Sequence, residues 1–550
     1  MHMHSDVLIV GAGPAGLSLA ISLAQAGFTA TVLDQNPTAA LEQPAPDGRE
    51  IALTHPSAAT LQRLGTWGGL EPSEIGHIRT AEVHDGPVGA HSAMQLHVSD
   101  GFGQAPGATA TGPRPPLGFI VPNHALRRTA YQVAARTPGV RIIAGAQVHR
   151  VAALATHAEV DFALTTPPGQ PSERLCAPLV VAADSRFSAA RRQLGIGAQM
   201  TDFGRTVIVC RMRHTLPHGD TAHECFGYER TLAVLPLPDA VDGGHAQCSV
   251  VVTAQAADAA RMLALESAAF TAEVQAQFQN RLGDMELLGE RHAYPLVAVY
   301  AQRFTGPRCA LLGDAAVGMH PVTAHGYNLG LAGVERLTQA LVAARQRGQD
   351  WGDAAALAPY ARAHHLHAWP IYQGTNAIVR LYTDARPLPR AVRQLVLQGA
   401  RRLPPLKAAI VAQLTGKAPA GRRHWPSWAT HWLPPGHGGD GQGQGQRATR
   451  HKRPLCKTCL PRGRCFDRCG AARPLSSAAT PDRRKIGPHP PLRRTPSDRR
   501  PHGPQPPHFH PRYANTPLRL ARRGPAAART GAGVGHRVSG QGRPPGICPA

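Results

Sequence analysis

Residues 6–34 read DVLIVGAGPAGLSLAISLAQAGFTATVLD. The opening DVLIV is a short apolar run cut off by a glycine turn, the pattern of a strand buried on both faces. AGLSLAISLAQAG carries helical apolar spacing and a glycine stop at Gly27, and TATVLD is a second strand. Strand, turn, helix and strand within about thirty residues make one βαβ unit. In its turn Gly11, Gly13 and Gly16 stand in G-x-G-x-x-G spacing. The first permits a tight turn, the second lets a pyrophosphate approach the backbone, and the third lets helix and strand pack closely. Asp34, at the end of the second strand, is placed to accept hydrogen bonds from a ribose. A merely structural glycine turn would need neither the helix nor the acid.

The stretch from Val7 to Leu33 holds no charged residue, so a signal peptide or membrane span has to be weighed. No basic segment precedes it, Gly11 to Gly16 interrupt it and Asp34 closes it. A buried βαβ unit accounts for the same residues better.

The net charge of +24 is uneven: residues 431–550 hold 23 Lys/Arg against 4 Asp and no Glu, which leaves about +5 for the rest. The basic balance therefore says little about what the folded part binds. Cys176, Cys210, Cys225, Cys248 and Cys309 are scattered singly, as in a reduced, cytoplasmic protein. Beyond about residue 420, Gln-Gly repeats and Pro/Arg clusters leave too little apolar periodicity for a core, and a disordered tail is expected. Its bias also resembles GC-rich DNA translated out of frame, which an intact mass of the native protein would decide. Four cysteines there (Cys456, Cys459, Cys465, Cys469) lack the longer loop that usually parts zinc-ligand pairs, and no specific nucleic-acid partner is expected.

Between these ends, 140–151 and 158–165 alternate weakly, and 203–213 and 231–253 read as strands of an antiparallel sheet in a second domain. Residues 328–347 show helical spacing through Leu331, Val334, Leu337 and Leu341. Residues 371–415 read as two amphipathic helices parted at ARPLP and RRLPP. In LVVAADSRFSAARRQLG (179–195) a buried strand delivers Asp184 to a turn that is either a ligand contact or a capped helix start. In GDAAVGMHPVTAHGYNLG (313–330), His320 and His325 are five apart with Pro321 between them, which argues against a metal pair on a helix. Asp314, at a strand end, is better placed to meet a polar ligand group.

GAGPAG, the Asp184 turn and GDAA…HP…G.NLG occur in an order that resembles the FAD-dependent aromatic hydroxylases, in their ubiquinone-biosynthesis branch. GREIALTHPSAATLQRLGTW (48–67), VPNHALRRTA (121–130) and the run 376–416 resemble further segments of that family. The resemblance implies an α/β fold: a Rossmann-like FAD-binding domain (1–75, 112–190, 290–350), a β-rich substrate domain (76–111, 191–289) and C-terminal helices (351–416), followed by the tail (417–550). It implies that Gly11, Gly13, Gly16 and Asp34 hold the ADP half of FAD, with Arg49 and Arg127 near the pyrophosphate. Asp314 would meet the ribityl chain, and Pro321, Gly326 and Asn328 would flank the isoalloxazine. Asp184 would serve the reductant side, although Ser185 stands where the family usually has glycine. His325 replaces the usual glutamine, where it either tunes the flavin or simply packs. The implied reaction uses NAD(P)H and O2, through a C4a-hydroperoxyflavin, to hydroxylate a polyprenylated quinol of the 5-demethoxyubiquinol type. A hydroxylase of soluble phenols or polyketides and a non-catalytic flavoprotein subunit are the alternatives. A tailed substrate further implies peripheral docking, through helices 371–415, at the inner face of the membrane or in a biosynthetic complex.

Overall fold

Val7–Val10 (β1) is buried at every position and lies between two parallel neighbours, Ala30–Asp34 (β2) and Leu179–Ala182 (β12). The structure, a computed structural model, describes residues 5–383 except 86–93, 98–99, 101–115, 168, 170, 228–229, 241–243 and 321–324, together with 407, 408, 411, 415 and 416. The chain divides into two units after His437, and every described residue lies in the first. The readings made for the tail, its cysteine group included, fall outside the described residues.

β1 sits inside a six-stranded sheet ordered β18-β19-β12-β1-β2-β8, where Val140–Ala144 (β8), Thr305–Gly306 (β18) and Cys309–Leu311 (β19) complete the set. Successive strands leave β1 in opposite directions, to β2 on one side and β12 on the other. That reversal opens a crevice at the carboxyl ends of the strands. Pro14–Gln25 (α1) packs against Asn123–Arg136 (α4) and Gly326–Gln346 (α8), and so buries Leu17, Leu19, Ile21 and Leu23 on more than one face. Each such side chain contributes roughly 2 kcal/mol of burial.

The largest sheet has eight strands in the order β20-β17-β13-β16-β15-β14-β5-β6. These are Val317–Gly318, Met285–Ala301, Ala198–His214, Ala246–Gln255, Thr231–Leu237, Thr221–Phe226, Thr80–Asp85 and Met94–His97. One face, with Ile208, Cys210, Met212, Val250 and Val252, is covered by Ala256–Ala264 (α6) and Ser267–Gln277 (α7). The other carries Val207, Val209, Leu296 and Tyr294. Glu50–Leu53 (β3), Gly118–Pro122 (β7) and Gly76–Ile78 (β4) form a three-stranded sheet beside it. Ala146–Ala153 (β9), Ala158–Leu164 (β10) and Glu173–Ala177 (β11) form another. Three shorter helices, Thr38–Glu42 (α2), His55–Arg63 (α3) and Ala189–Gln193 (α5), close turns between strands.

Two expectations differ from this arrangement. The border drawn between residues 289 and 290 falls inside β17, which pairs with β13 from Met285 to Ala301. Alternating residues on one long strand give no local sign of where a domain is entered. The first of the two helices expected over 371–415 is the end of one helix, Ala354–Thr383 (α9), which contains Pro359 and Pro370. Proline inside a helix removes a hydrogen bond and crowds the preceding turn, yet the helix continues through both. ARPLP and RRLPP lie outside the described residues.

Candidate functional site

The turn after β1 is built for close approach. Gly11 has φ +112°, and a Cβ there would lie 2.5 Å from the Ala183 carbonyl oxygen. A Cβ on Gly16 would lie 2.1 Å from the Gly11 carbonyl oxygen. Gly13 differs: it is the N-cap of α1, its side is open with nothing within 4 Å, and no acidic residue occupies the first helical turn. The first amides of a helix lack intrahelical partners, so α1 presents donors and a positive dipole end to open space. Asp34 braces the turn, accepting from the Ala12 amide (2.7 Å) and from the Asn36 amide and side chain (both 2.8 Å). Its carboxylate oxygens keep lone pairs for a further donor.

The distant Gly-Asp turn is delivered to the same crevice. Gly313 (φ +60°) and Gly330 of α8 both lie against Ala15 of α1, where an added Cβ would stand 3.2 and 3.6 Å from the Ala15 methyl. Beyond Gly313, Asp314 is 39% exposed and accepts from Arg186 Nη2 (3.1 Å). Arg186 is itself held by the Val297 carbonyl (3.2 Å), while buried Arg191 donates to the carbonyls of Arg186 (3.1 Å) and Ala315 (2.9 Å). Arg49 lies within electrostatic range of Asp314 and stacks over Tyr294, 5.5 Å from the ring centroid. Asp47 holds Arg49 through Nε (2.9 Å) and also accepts from Asn123 Nδ2 (2.7 Å). Burial acts to raise the Asp47 carboxyl, but the adjacent Arg49 guanidinium prevails and holds it below its ordinary range.

Gly11, Gly13, Gly16, Asp34, Arg49 and Asp314 therefore converge on one crevice. The other expected residues are placed differently. Asp184 accepts from the Ser188 hydroxyl and the Ala190 amide (3.3 Å), which is the capped-turn alternative. Arg127 lies on α4 and makes no ion pair among the described residues, whereas its neighbour Arg128 pairs with Glu74. Pro321 falls outside the described residues. His320 is buried edge-on to Phe203 at 5.4 Å, and burial, then Arg205, pushes its imidazole down to about 3. His325 is the buried N-cap residue of α8 and acts electrostatically on His367 of α9. The two histidines form no three-ligand group among the described residues. Elsewhere Glu82, His84 and His223 do converge, but Arg281 Nη1 lies 3.4 Å from His84 Nε2, where a cation would be repelled.

A family described as FAD binding domain matches residues 4–375. The chain belongs to it. Over 416 residues this FAD-binding protein is 44% identical to ubiquinone hydroxylase UbiM of Neisseria meningitidis, spanning 76% of this chain and 86% of that one. It is 33% identical to ubiquinone hydroxylase UbiL of Rhodospirillum rubrum over 416 residues, 75% of this chain and 90% of that one. Among solved structures, p-nitrophenol 4-monooxygenase PnpA from Pseudomonas putida shares the fold, with a TM-score of 0.60 at 18% identity over 76% of this chain and 99% of that one.

The crevice fits FAD by its own chemistry. The open face of Gly13 and the unspent amides of α1 suit a pyrophosphate, and a second open glycine, Gly326, begins α8 across the crevice. Asn328 does something sequence did not suggest. Its Oδ1 accepts from the Thr54 amide (3.0 Å) and its Nδ2 donates to the Ala52 carbonyl (2.9 Å), so it stitches α8 to the edge of β3. Asn328→Ala would leave both backbone groups short of a partner in a buried setting. A loss of about 2 kcal/mol in urea unfolding is expected, and an unchanged midpoint would contradict the stitch.

Proposed function

We propose that this chain is an FAD-dependent monooxygenase that hydroxylates the aromatic ring of a polyprenylated quinol in ubiquinone biosynthesis, with NAD(P)H as reductant and O2 as oxygen source. The observation that carries the reading is the 44% identity to a ubiquinone hydroxylase over most of both chains. FAD, when bound, supplies the redox chemistry and the activation of O2. The protein's own residues bind and orient. In this reading the α1 amides and Arg49 take the pyrophosphate, Asp34 the ribose, and Asp314, aimed by Arg186, the ribityl hydroxyls. The apolar face of Val207, Val209 and Leu296 keeps water from the reacting ring.

The test uses purified holoprotein with a short-chain demethoxyubiquinol. NAD(P)H consumption should rise with the quinol, and a product heavier by one oxygen should form. Consumption at the quinol-free rate with no such product would sink the reading.

No helix among the described residues is long and apolar enough to cross a membrane. We place the docking face on α9, where exposed Leu366 (57%) and Trp369 (39%) share a stripe with exposed Arg362 and Arg380. An apolar centre with basic flanks suits the cytoplasmic surface of an anionic bilayer. Leu366→Glu/Trp369→Glu should leave the protein at the bottom of a flotation gradient from which the wild type rises with anionic vesicles. Equal flotation would remove α9 from the proposal.

A further inference from the structure

Glu50 opens β3, directly after Arg49. Along this strand Ile51 and Leu53 pack toward Leu61, Leu126 and Leu331, while Glu50 and Ala52 face the opposite side. On that side Ala52 meets Leu117, Ile120, Phe226 and Leu237, between the three-stranded sheet and the eight-stranded one. The Glu50 carboxylate is 2% exposed. Its Oε1 accepts from Arg211 of β13 through Nε (2.8 Å) and Nη2 (2.7 Å). Its Oε2 is buried with no hydrogen-bond partner. A carboxylate oxygen left in this state costs stability, and Arg211 needs only one oxygen for its fork. The orphan oxygen belongs to the residue after Arg49, which reaches Tyr294 and Asp314, and its partner Arg211 continues the face of β13 that carries Val207 and Val209.

We propose that Glu50 Oε2 is the base that accepts the proton of the substrate's ring hydroxyl. The inference rests on the hydroxylase reading above. The ring O–H bond breaks, its electron pair stays on the ring oxygen and enriches the ring carbons, and the proton moves to Oε2. Glu50 returns that proton to solvent past Arg211, which is 36% exposed, before the next turnover. The overall balance is therefore that of the hydroxylation alone, with one oxygen entering the ring and the other leaving as water at the expense of NAD(P)H. Burial, against the pull of Arg211 and with Asp47 adding to it, lifts the Glu50 carboxyl to about 7, so it changes charge near neutral pH. The other charged or titratable groups facing this region are Asp47 and Arg49 of the preceding loop, His124 of α4 and His292 of β17. Burial, then Arg211, pushes His124 below its ordinary value.

The test compares wild-type and Glu50→Gln holoproteins with 4-nitrophenol as the bound probe, since its ionised form absorbs apart from its neutral form. Glu50→Gln should lower the ionisation midpoint of the bound probe by about one unit or more, because the carboxylate charge that opposes the phenolate is gone. It should also slow quinol hydroxylation roughly 100-fold near neutral pH. An unmoved midpoint together with an overlaid pH–rate profile would overturn the base while leaving the hydroxylase reading standing. A wild type that makes no heavier product would sink the hydroxylase reading instead, and the midpoint, which needs no turnover, still decides the base. If Glu50→Gln does not accumulate as holoprotein, Glu50→Asp withdraws the carboxylate by one methylene. A smaller fall in midpoint is then expected, and its absence overturns the proposal.

Discussion

Gly16→Val should yield protein without FAD, while Gly13→Ala should yield a folded protein with weakened FAD binding. The two glycines lie three residues apart in one motif, but their surroundings differ. At Gly16 any Cβ sits 2.1 Å from the Gly11 carbonyl oxygen and 3.4 Å from the Ala183 methyl, so valine must push α1 off β1. Overpacking of this kind costs about 1–3 kcal/mol or more and displaces the helix end that the cofactor would meet. At Gly13 a methyl meets nothing within 4 Å of protein. Its only victim is whatever fills that space. The thermal midpoint of the apoprotein should therefore hold, while FAD affinity, measured calorimetrically, falls about 10- to 100-fold, or roughly 1.4–2.8 kcal/mol. Unchanged FAD affinity in Gly13→Ala would show that the open space is not the phosphate site.

Glu50 should make the wild type lose stability as pH rises through neutrality. Its carboxyl is lifted from an ordinary 4.5 to about 7, first by burial. Below 4.5 the folded and unfolded chains both hold the proton, and this group adds no pH dependence. Between 4.5 and about 7 the folded chain keeps a proton that the unfolded chain has released, so stability falls with rising pH. Above about 7 the loss is complete. Unfolding free energies at about pH 5 and about pH 8 should thus diverge by roughly 2–3 kcal/mol more in the wild type than in Glu50→Gln. Parallel values would mean that Arg211 cancels the burial. A group that weakens the fold at working pH is the behaviour expected where function needs a buried charge.

Several elements were legible because their signals are local. The βαβ unit over 6–34 follows from apolar runs, one glycine turn and one acid, all within a single supersecondary unit. Strand β19 and the Gly-Asp turn after it read the same way. Other contacts had no local trace. Arg186 reaches Asp314 across 128 residues, Arg211 reaches Glu50 across 161, and Asn328 reaches Thr54 across 274. Asp47 stands only two residues before Arg49, but that it holds both Arg49 and Asn123 shows only in the fold. Asn328 looked like a small polar residue suited to lie beside a flat ring, yet its amide is committed to the Ala52 carbonyl of β3 and the Thr54 amide just after that strand. The two alternatives for Asp184 could not be parted without the Ser188 hydroxyl in place.

By itself, then, the sequence showed a dinucleotide-type turn and an order of motifs that resembles one family, and from that resemblance came the expectation that Asp314 meets the same ligand as Gly11. The turn and the motif order need only residue type and spacing along the chain. The tertiary structure alone decided that Arg49 and Arg186 both act on Asp314, that Gly13 is the open glycine and Gly16 the packed one, and that Glu50 keeps an unpaired oxygen. Each depends on which strands are neighbours and in what register. That choice is made by burial summed over the whole core, and no short window of residues contains it.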